Sequence, residues 1–118
     1  SEGFQVYILG GEFKRMTEAI VGEEALYSLK KYNFTKGFFG ANGITKEEGF
    51  TTPELKEAMV KQRAFLSCKD RYVLADDSKF GTISAISFGD FDSATVITDV
   101  ITKRGFKGLK NIKEVADR

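Results

Sequence analysis

The chain contains no histidine, which excludes imidazole general bases, histidine-containing triads and histidine-ligated metal sites together. Its single cysteine, Cys68, has no partner for an internal disulfide, which fits a reducing compartment. Cys68 is expected at the end of a helix in an inert packing role, the alternative being a reactive thiol. Neither sign of charge is in excess: 18 Lys and Arg stand against 17 Asp and Glu, a net charge of +1. Duplex DNA calls for a concentrated positive field, so contact with DNA is expected only through a segment outside this chain. No apolar run approaches the length of a membrane span and no secretory signal is visible, so a soluble cytoplasmic protein with no membrane partner is expected. Missing too are a G-x-G-x-x-G after a strand, a Walker loop and a G-x-S-x-G elbow, which argues against dinucleotide, P-loop and serine-hydrolase chemistry. The 11 phenylalanines are not interleaved with basic residues as a single-stranded nucleic-acid platform requires, and most are expected in the core. No metal and no cofactor is expected.

What is present describes one domain over residues 1–118, with 42% apolar and 30% charged residues and no repeat or linker. Residues 5–9 read as a strand ending at Gly10-Gly11. Residues 23–32 read as a helix, with Ala25, Leu26, Leu29 and Tyr32 on its buried face and Lys30 and Lys31 at its C-terminal end. Phe38-Phe39 make a second strand. Pro53, the only proline, suits the first position of a second helix, with Thr52 as its cap. Leu55, Ala58, Met59, Phe65 and Leu66 form its expected apolar stripe. Further strands are expected at 71–75, 83–88 and 94–98, and a last short one at 111–115. Strands alternating with helices specify an α/β fold, a mostly parallel sheet flanked by helices. The first strand begins near the N-terminus with nothing to cover an open edge, so the chain is expected to be part of a larger protein or of an oligomer.

In open parallel sheets ligands bind beyond the carboxyl ends of the strands. Four loops are expected there: Gly10-Gly11, residues 40–43, residues 76–81, and Asp99. Gly40 and Gly43 allow positive φ and close backbone approach, and Asn42 tolerates a left-handed conformation while adding an amide. The same residues also suit a tight turn with no ligand. Thr51-Thr52 at a helix start offers free N–H groups for an anion, or ordinary capping. Lys79 can pair with a phosphate while Asp76 accepts from a sugar hydroxyl; alternatively residues 76–79 form a solvated turn with Asp77 and Lys79 on the surface. Glu47-Glu48 and Lys30-Lys31 read as solvated charge.

Gly10-Gly11, Val21-Gly22, residues 38–44, Gly49-Phe50-Thr51-Thr52-Pro53, Glu57-Ala58 with Val60-Lys61, residues 73–81 and Ile97-Thr98-Asp99 follow one another in an order that resembles the effector-binding domain of DeoR-type transcriptional repressors. The form Gly40-Ala41-Asn42-Gly43-Ile44 followed by Gly49-Phe50-Thr51-Thr52-Pro53 is most similar to the branch of fructose and lactose phosphotransferase-operon repressors. The resemblance implies a cytoplasmic bacterial regulator, and a fold similar to ribose-5-phosphate isomerase and glucosamine-6-phosphate deaminase. It further implies a phosphorylated sugar effector, DNA contacted only through an N-terminal helix-turn-helix domain, and a homo-oligomer. Carried over by position, Gly40, Asn42, Gly43, Asp76 and Lys79 would face the effector. The chain holds neither the helix-turn-helix domain nor the first part of the sensor, so it is expected to be the later portion of a sensor domain.

The resemblance also bears on catalysis. Where the similar isomerase carries carboxylates for proton transfer, this chain reads Gly40-Ala41-Asn42-Gly43, with no acid. The expected function is therefore sensing without catalytic residues. The alternatives are an isomerase-like enzyme using Glu54 or Glu57 as base, and a dimerisation unit that binds no effector.

Overall fold

The computed structural model describes residues 33–115; the strand expected at 5–9, the Gly10-Gly11 turn and the helix expected at 23–32 lie outside them. Strand β1 (Phe34–Gly40) is rich in the aromatic residues that favour a pleated surface. It pairs in parallel with β4 (Cys68–Leu74), in register from Phe34 opposite Cys68 to Gly40 opposite Leu74. Parallel neighbours cannot be joined by a hairpin, and the crossover between them holds β2 (Gly43–Thr45), β3 (Gly49–Thr52) and helix α1 (Leu55–Leu66). Beyond β4 the sheet continues in parallel through β6 (Thr95–Thr98) and β7 (Ile112–Glu114), giving the order β1-β4-β6-β7. The expected α/β fold with a parallel sheet is the one observed.

A second sheet was not anticipated. β2, β3 and β5 (Ile86–Gly89) form an antiparallel sheet, so the strand expected at 83–88 is shorter, later and in a different layer. This sheet also moves the start of the helix. Thr51 and Thr52 lie opposite Ser87 and Ile86 within β3 and are buried. They neither cap α1 nor offer free amides to an anion. The N-cap is Glu54, whose side chain makes no capping bond, and Pro53 precedes it. β-branched threonines satisfied by cross-strand pairing outweigh the local Thr-Pro helix signal.

Phenylalanines join the layers. Phe39 and Val73 are register partners and Val73 is in turn opposite Val96, a buried row across the parallel sheet. Phe65 of α1 meets Phe39 edge-on at 5.2 Å and Phe88 of β5 at 5.9 Å. Phe50 of β3 sits 6.2 Å from each of Phe65, Phe88 and Phe91. The buried face of α1 is Ala58, Val60, Ala64 and Phe65; Leu55, Met59 and Leu66, expected in that stripe, are exposed. Cys68 follows the C-cap residue Ser67, is buried, and donates from Sγ to the Ala64 carbonyl at 3.2 Å. Burial pushes its thiol pKa up, against the opposing pull of Arg71, which keeps it protonated and unreactive. Gly49 turns β2 into β3 at φ 74°, where an added Cβ would lie 2.1 Å from the Gly89 carbonyl oxygen. Glu47 and Glu48 in that turn are exposed, as expected of solvated charge.

Polar contacts brace the segments that leave the sheet. In the short 3-10 turn Asp77–Lys79, the Asp77 carboxylate accepts from the Thr102 hydroxyl and, at 2.9 Å, from the Thr102 amide. Lys103 donates to the carbonyls of Phe80 (3.0 Å) and Asp77 (3.3 Å). Glu114, at the end of β7, accepts from the Ile101 amide at 2.8 Å and pairs with Lys107 at 3.1 Å. Asp77 is thus a partly exposed clamp between this turn and the Thr102 segment.

Two consequences are measurable. Phe50→Ala empties the centre of the aromatic cluster and should lower the unfolding free energy by about 3–5 kcal/mol in urea denaturation; a loss under about 1 kcal/mol would contradict the packing described. The Thr102 hydroxyl, then its amide, hold the Asp77 carboxyl below its usual range. Stability from ionised Asp77 is therefore present above the unfolded value of about 4 and disappears as pH falls through the lowered folded value. Asp77→Asn should be less stable than the parent at neutral pH, and the gap should close as pH is lowered towards about 2. A gap that stays constant with pH would assign the clamp to packing alone.

Candidate functional site

Gly40 lies opposite Leu74 and Leu74 opposite Ile97, so β1, β4 and β6 end level. The segments that follow them, carrying Asn42, Asp76 to Lys79, and Asp99, therefore leave from one edge, where ligands of open parallel sheets bind. Gly40 is exposed, and an added Cβ there would meet nothing within 4 Å. Asn42 is also exposed; its amide donates to the Thr51 carbonyl at 2.9 Å, and its Oδ1 accepts from the Thr52 hydroxyl at 3.3 Å. Gly43 is buried in β2, where an added Cβ would fall 2.2 Å from the Thr82 carbonyl oxygen. Glycine at 43 is required by that approach rather than by turn conformation. Neither Gly40 nor Gly43 has positive φ, contrary to expectation; among the described residues Gly49, Gly81 and Gly108 do. The two strand-end loops are nevertheless knitted together, because Gly81 donates to the Ile44 carbonyl at 2.8 Å and Ile44 bridges to Phe80.

Asp76 caps the turn after β4. Its Oδ1 accepts from the Ser78 hydroxyl and, at 2.9 Å, from the Ser78 amide. The Lys79 ammonium stands 3.5 Å from Asp76 Oδ2 and 3.4 Å from the Ser78 hydroxyl. The Asp76 side chain is 60% exposed and that of Lys79 32%, so this long pair contributes little to stability. Ser78, with help from Lys79, holds the Asp76 carboxyl below its usual range, so it is a settled acceptor. Lys79 is a cation held loosely at the edge. Asp99 accepts from the Val100 amide at 2.7 Å, a local contact within its own loop.

One residue at this edge escaped the reading of the sequence as a site residue. Lys61, in mid α1, donates from Nζ to the Gly40 carbonyl at 2.8 Å and lies 5.2 Å from the centroid of the Phe88 ring. Helical side chains lean towards the helix N-terminus, which carries this one to the carboxyl end of β1. Burial lowers its pKa, opposed by the charge of Glu57 one turn earlier. The signal was available in the spacing: Lys61 falls between Ala58 and Phe65 on the buried face, where a lysine is out of place.

A cavity of roughly 450 Å³ lies elsewhere, lined by Lys46, Glu47, Asp90, Phe91, Asp92 and Leu109. Asp90 and Asp92 precede β6 and Leu109 precedes β7, so it opens towards the amino edge of the sheet, away from the expected site residues. Three carboxylates against one ammonium make it a poor seat for an anion. Among the described residues no group of three or more Cys, Asp or Glu side chains is placed to hold a metal ion, and no helix is long and apolar enough to cross a membrane.

The sequence pattern of the DeoR C terminal sensor domain family matches residues 1–100. The chain is 49% identical over 92 residues to the uncharacterized HTH-type transcriptional regulator FruR of Bacillus subtilis (strain 168), covering 78% of this chain and 37% of that protein. It is 36% identical over 115 residues to the lactose phosphotransferase system repressor of Staphylococcus aureus (strain NCTC 8325 / PS 47), covering 97% of this chain and 45% of that protein. The HTH-type transcriptional regulator IolR of Bacillus subtilis (strain 168) is 36% identical over 91 residues, or 77% of this chain and 36% of its own length. The chain thus spans less than half the length of these relatives. On the match over residues 1–100, this chain belongs to the DeoR C-terminal sensor domain family.

Proposed function

We propose that this chain is the effector-sensing portion of a transcriptional repressor of sugar metabolism. A phosphorylated sugar binds at the carboxyl edge of the parallel sheet and changes the DNA affinity of a helix-turn-helix domain elsewhere in the same protein. The observation that supports the reading is that Gly40 with its open backbone, Asn42 and Lys79 all lie on segments leaving one edge of the sheet, in a chain of this family. The chemistry suits a phosphosugar: an ammonium for the phosphate, and Asn42 and Asp76 for hydroxyls. Gly43 and the Thr82 carbonyl set the distance between the two loops. The printed names of the relatives, a lactose phosphotransferase system repressor among them, support the same class of regulation. The protein works in the cytoplasm as a homo-oligomer, and effector and DNA affinities influence each other reciprocally.

Binding proceeds without turnover on this reading. An enediol isomerisation needs a base poised near the working pH. Two of the carboxylates at this edge, Asp76 and Asp77, are held the other way by Ser78 and Thr102.

The test is thermal unfolding of the full-length protein against a panel of sugar phosphates and their unphosphorylated parents, with assays for product. A ligand at about 100 times its Kd adds roughly 2.7 kcal/mol, or about 5–10 °C for a protein of about 150–250 residues. One phosphosugar should raise Tm selectively, Lys79→Met should remove most of the rise, and no product should form. Product accumulation would establish the enzyme instead, and indifference to every phosphosugar would leave a dimerisation unit.

A further inference from the structure

Lys61 occupies a position on the inner face of α1 that packing reserves for apolar groups, between buried Ala58 and Phe65. Its ammonium passes the Phe88 ring and ends on one neutral acceptor, the Gly40 carbonyl. An ammonium has three N–H donors. The ion pairs among the described residues are Lys79 with Asp76 and Lys107 with Glu114, so this half-buried charge has no paired carboxylate within bonding range. Glu57 acts on it only at a distance. A desolvated cation without a counter-ion is costly, and the backbone it rests on borders open space. Lys79 rises from the turn after β4, the strand next to β1, so both ammoniums serve the same edge.

We propose that Lys61 is the second cation of the effector site and determines its preference for phosphorylated ligands. On binding, the Lys61 ammonium turns from the Gly40 carbonyl to the phosphate, which makes occupancy felt by α1. This rests on the reading of the edge as a sugar-phosphate site. The groups that face Lys61 are Glu57 of α1, Gly40 of β1 and Phe88 of β5, and Glu57 is the charged one among them.

The test is calorimetric titration of the full-length protein with the phosphosugar that raises its Tm and with the parent sugar. Lys61→Met should weaken the phosphosugar roughly tenfold or more while leaving the parent sugar unchanged, and Lys61→Arg should keep most of the affinity. Above neutral pH, phosphosugar affinity should fall as Lys61 loses its proton, earlier than for an ordinary lysine. Glu57→Gln removes a charge that raises the Lys61 pKa, so it should move that fall to lower pH. Equal phosphosugar affinity in the parent and Lys61→Met overturns the inference and leaves the sensing function standing. If Lys61→Met fails to fold, an alkaline profile unmoved by Glu57→Gln overturns it. A parent protein that binds no phosphosugar overturns both.

Discussion

The parallel register of β1 with β4 fixes most of what this chain does. Because Phe39 is opposite Val73 and Val73 opposite Val96, one buried row crosses the sheet. The same register brings Gly40 and Leu74 to one level at the carboxyl edge. Parallel pairing also demands a long return path, and the return supplies α1. Its N-terminal end points back towards the edge where β1 finished, which is how a residue 21 positions beyond Gly40 in sequence donates to the Gly40 carbonyl. A slip of one residue in this pairing would invert Phe39 and Phe38 between core and solvent. It would detach Phe39 from Phe65 and misalign the loops together.

Charged residues at the carboxyl edge divide by what their partners leave them free to do. Asp77, Lys103, Glu114 and Lys107 are committed to holding segments in place, two of them on backbone amides and one on backbone carbonyls. Asp76 is committed as an acceptor to its own turn. Lys79 is bound by long contacts to Asp76 and Ser78, and Lys61 by one carbonyl and the face of the Phe88 ring, neither of them on a close counter-ion. The committed groups hold the loops in place, so that on the proposed reading little ordering would remain to oppose binding of a ligand by the two cations.

The sequence made the parallel sheet readable because its strands are short apolar runs bounded by turn residues, as at 71–75 and 94–98, and the structure places β4 and β6 there within a few residues. The antiparallel sheet was not readable. Residues 43–45 and 49–52 are too short to show an alternation, and Thr51-Thr52-Pro53 imitates a helix cap when taken locally. Only pairing with β5, some 35 residues later, decides against it. Of the expected α1 stripe, Ala58 and Phe65 face inward, but Leu55, Met59 and Leu66 do not, because at 3.6 residues per turn these three share a separate face turned away from the buried one. At the edge, topology made it readable that the segments after β1, β4 and β6 leave together, and Gly40 and Asn42 are exposed on the first of them. Gly43 was expected to allow positive φ and close backbone approach: its φ is not positive, and the backbone that approaches is the Thr82 carbonyl, a contact visible only in three dimensions.

The same distinction separates a sensor from an enzyme built on similar loops. Proton transfer at neutral pH needs a carboxylate whose charged form is disfavoured, through burial or a like-charged neighbour, so that its pKa rises towards the working pH. Hydrogen bonds and neighbouring ammoniums around Asp76 and Asp77 do the reverse. Each donor that steadies a carboxylate within its turn also makes it a weaker base. On the proposed reading, Asn42 offers the edge an amide that can bond a sugar hydroxyl in either direction without titrating. On the proposed sensing function, a site of settled acceptors and lightly held cations would hold a ligand by ionic contacts that favour no bond rearrangement. Such uniform binding lowers the free energy of the complex without lowering a chemical barrier, and that is the energetic profile a ligand-responsive switch requires.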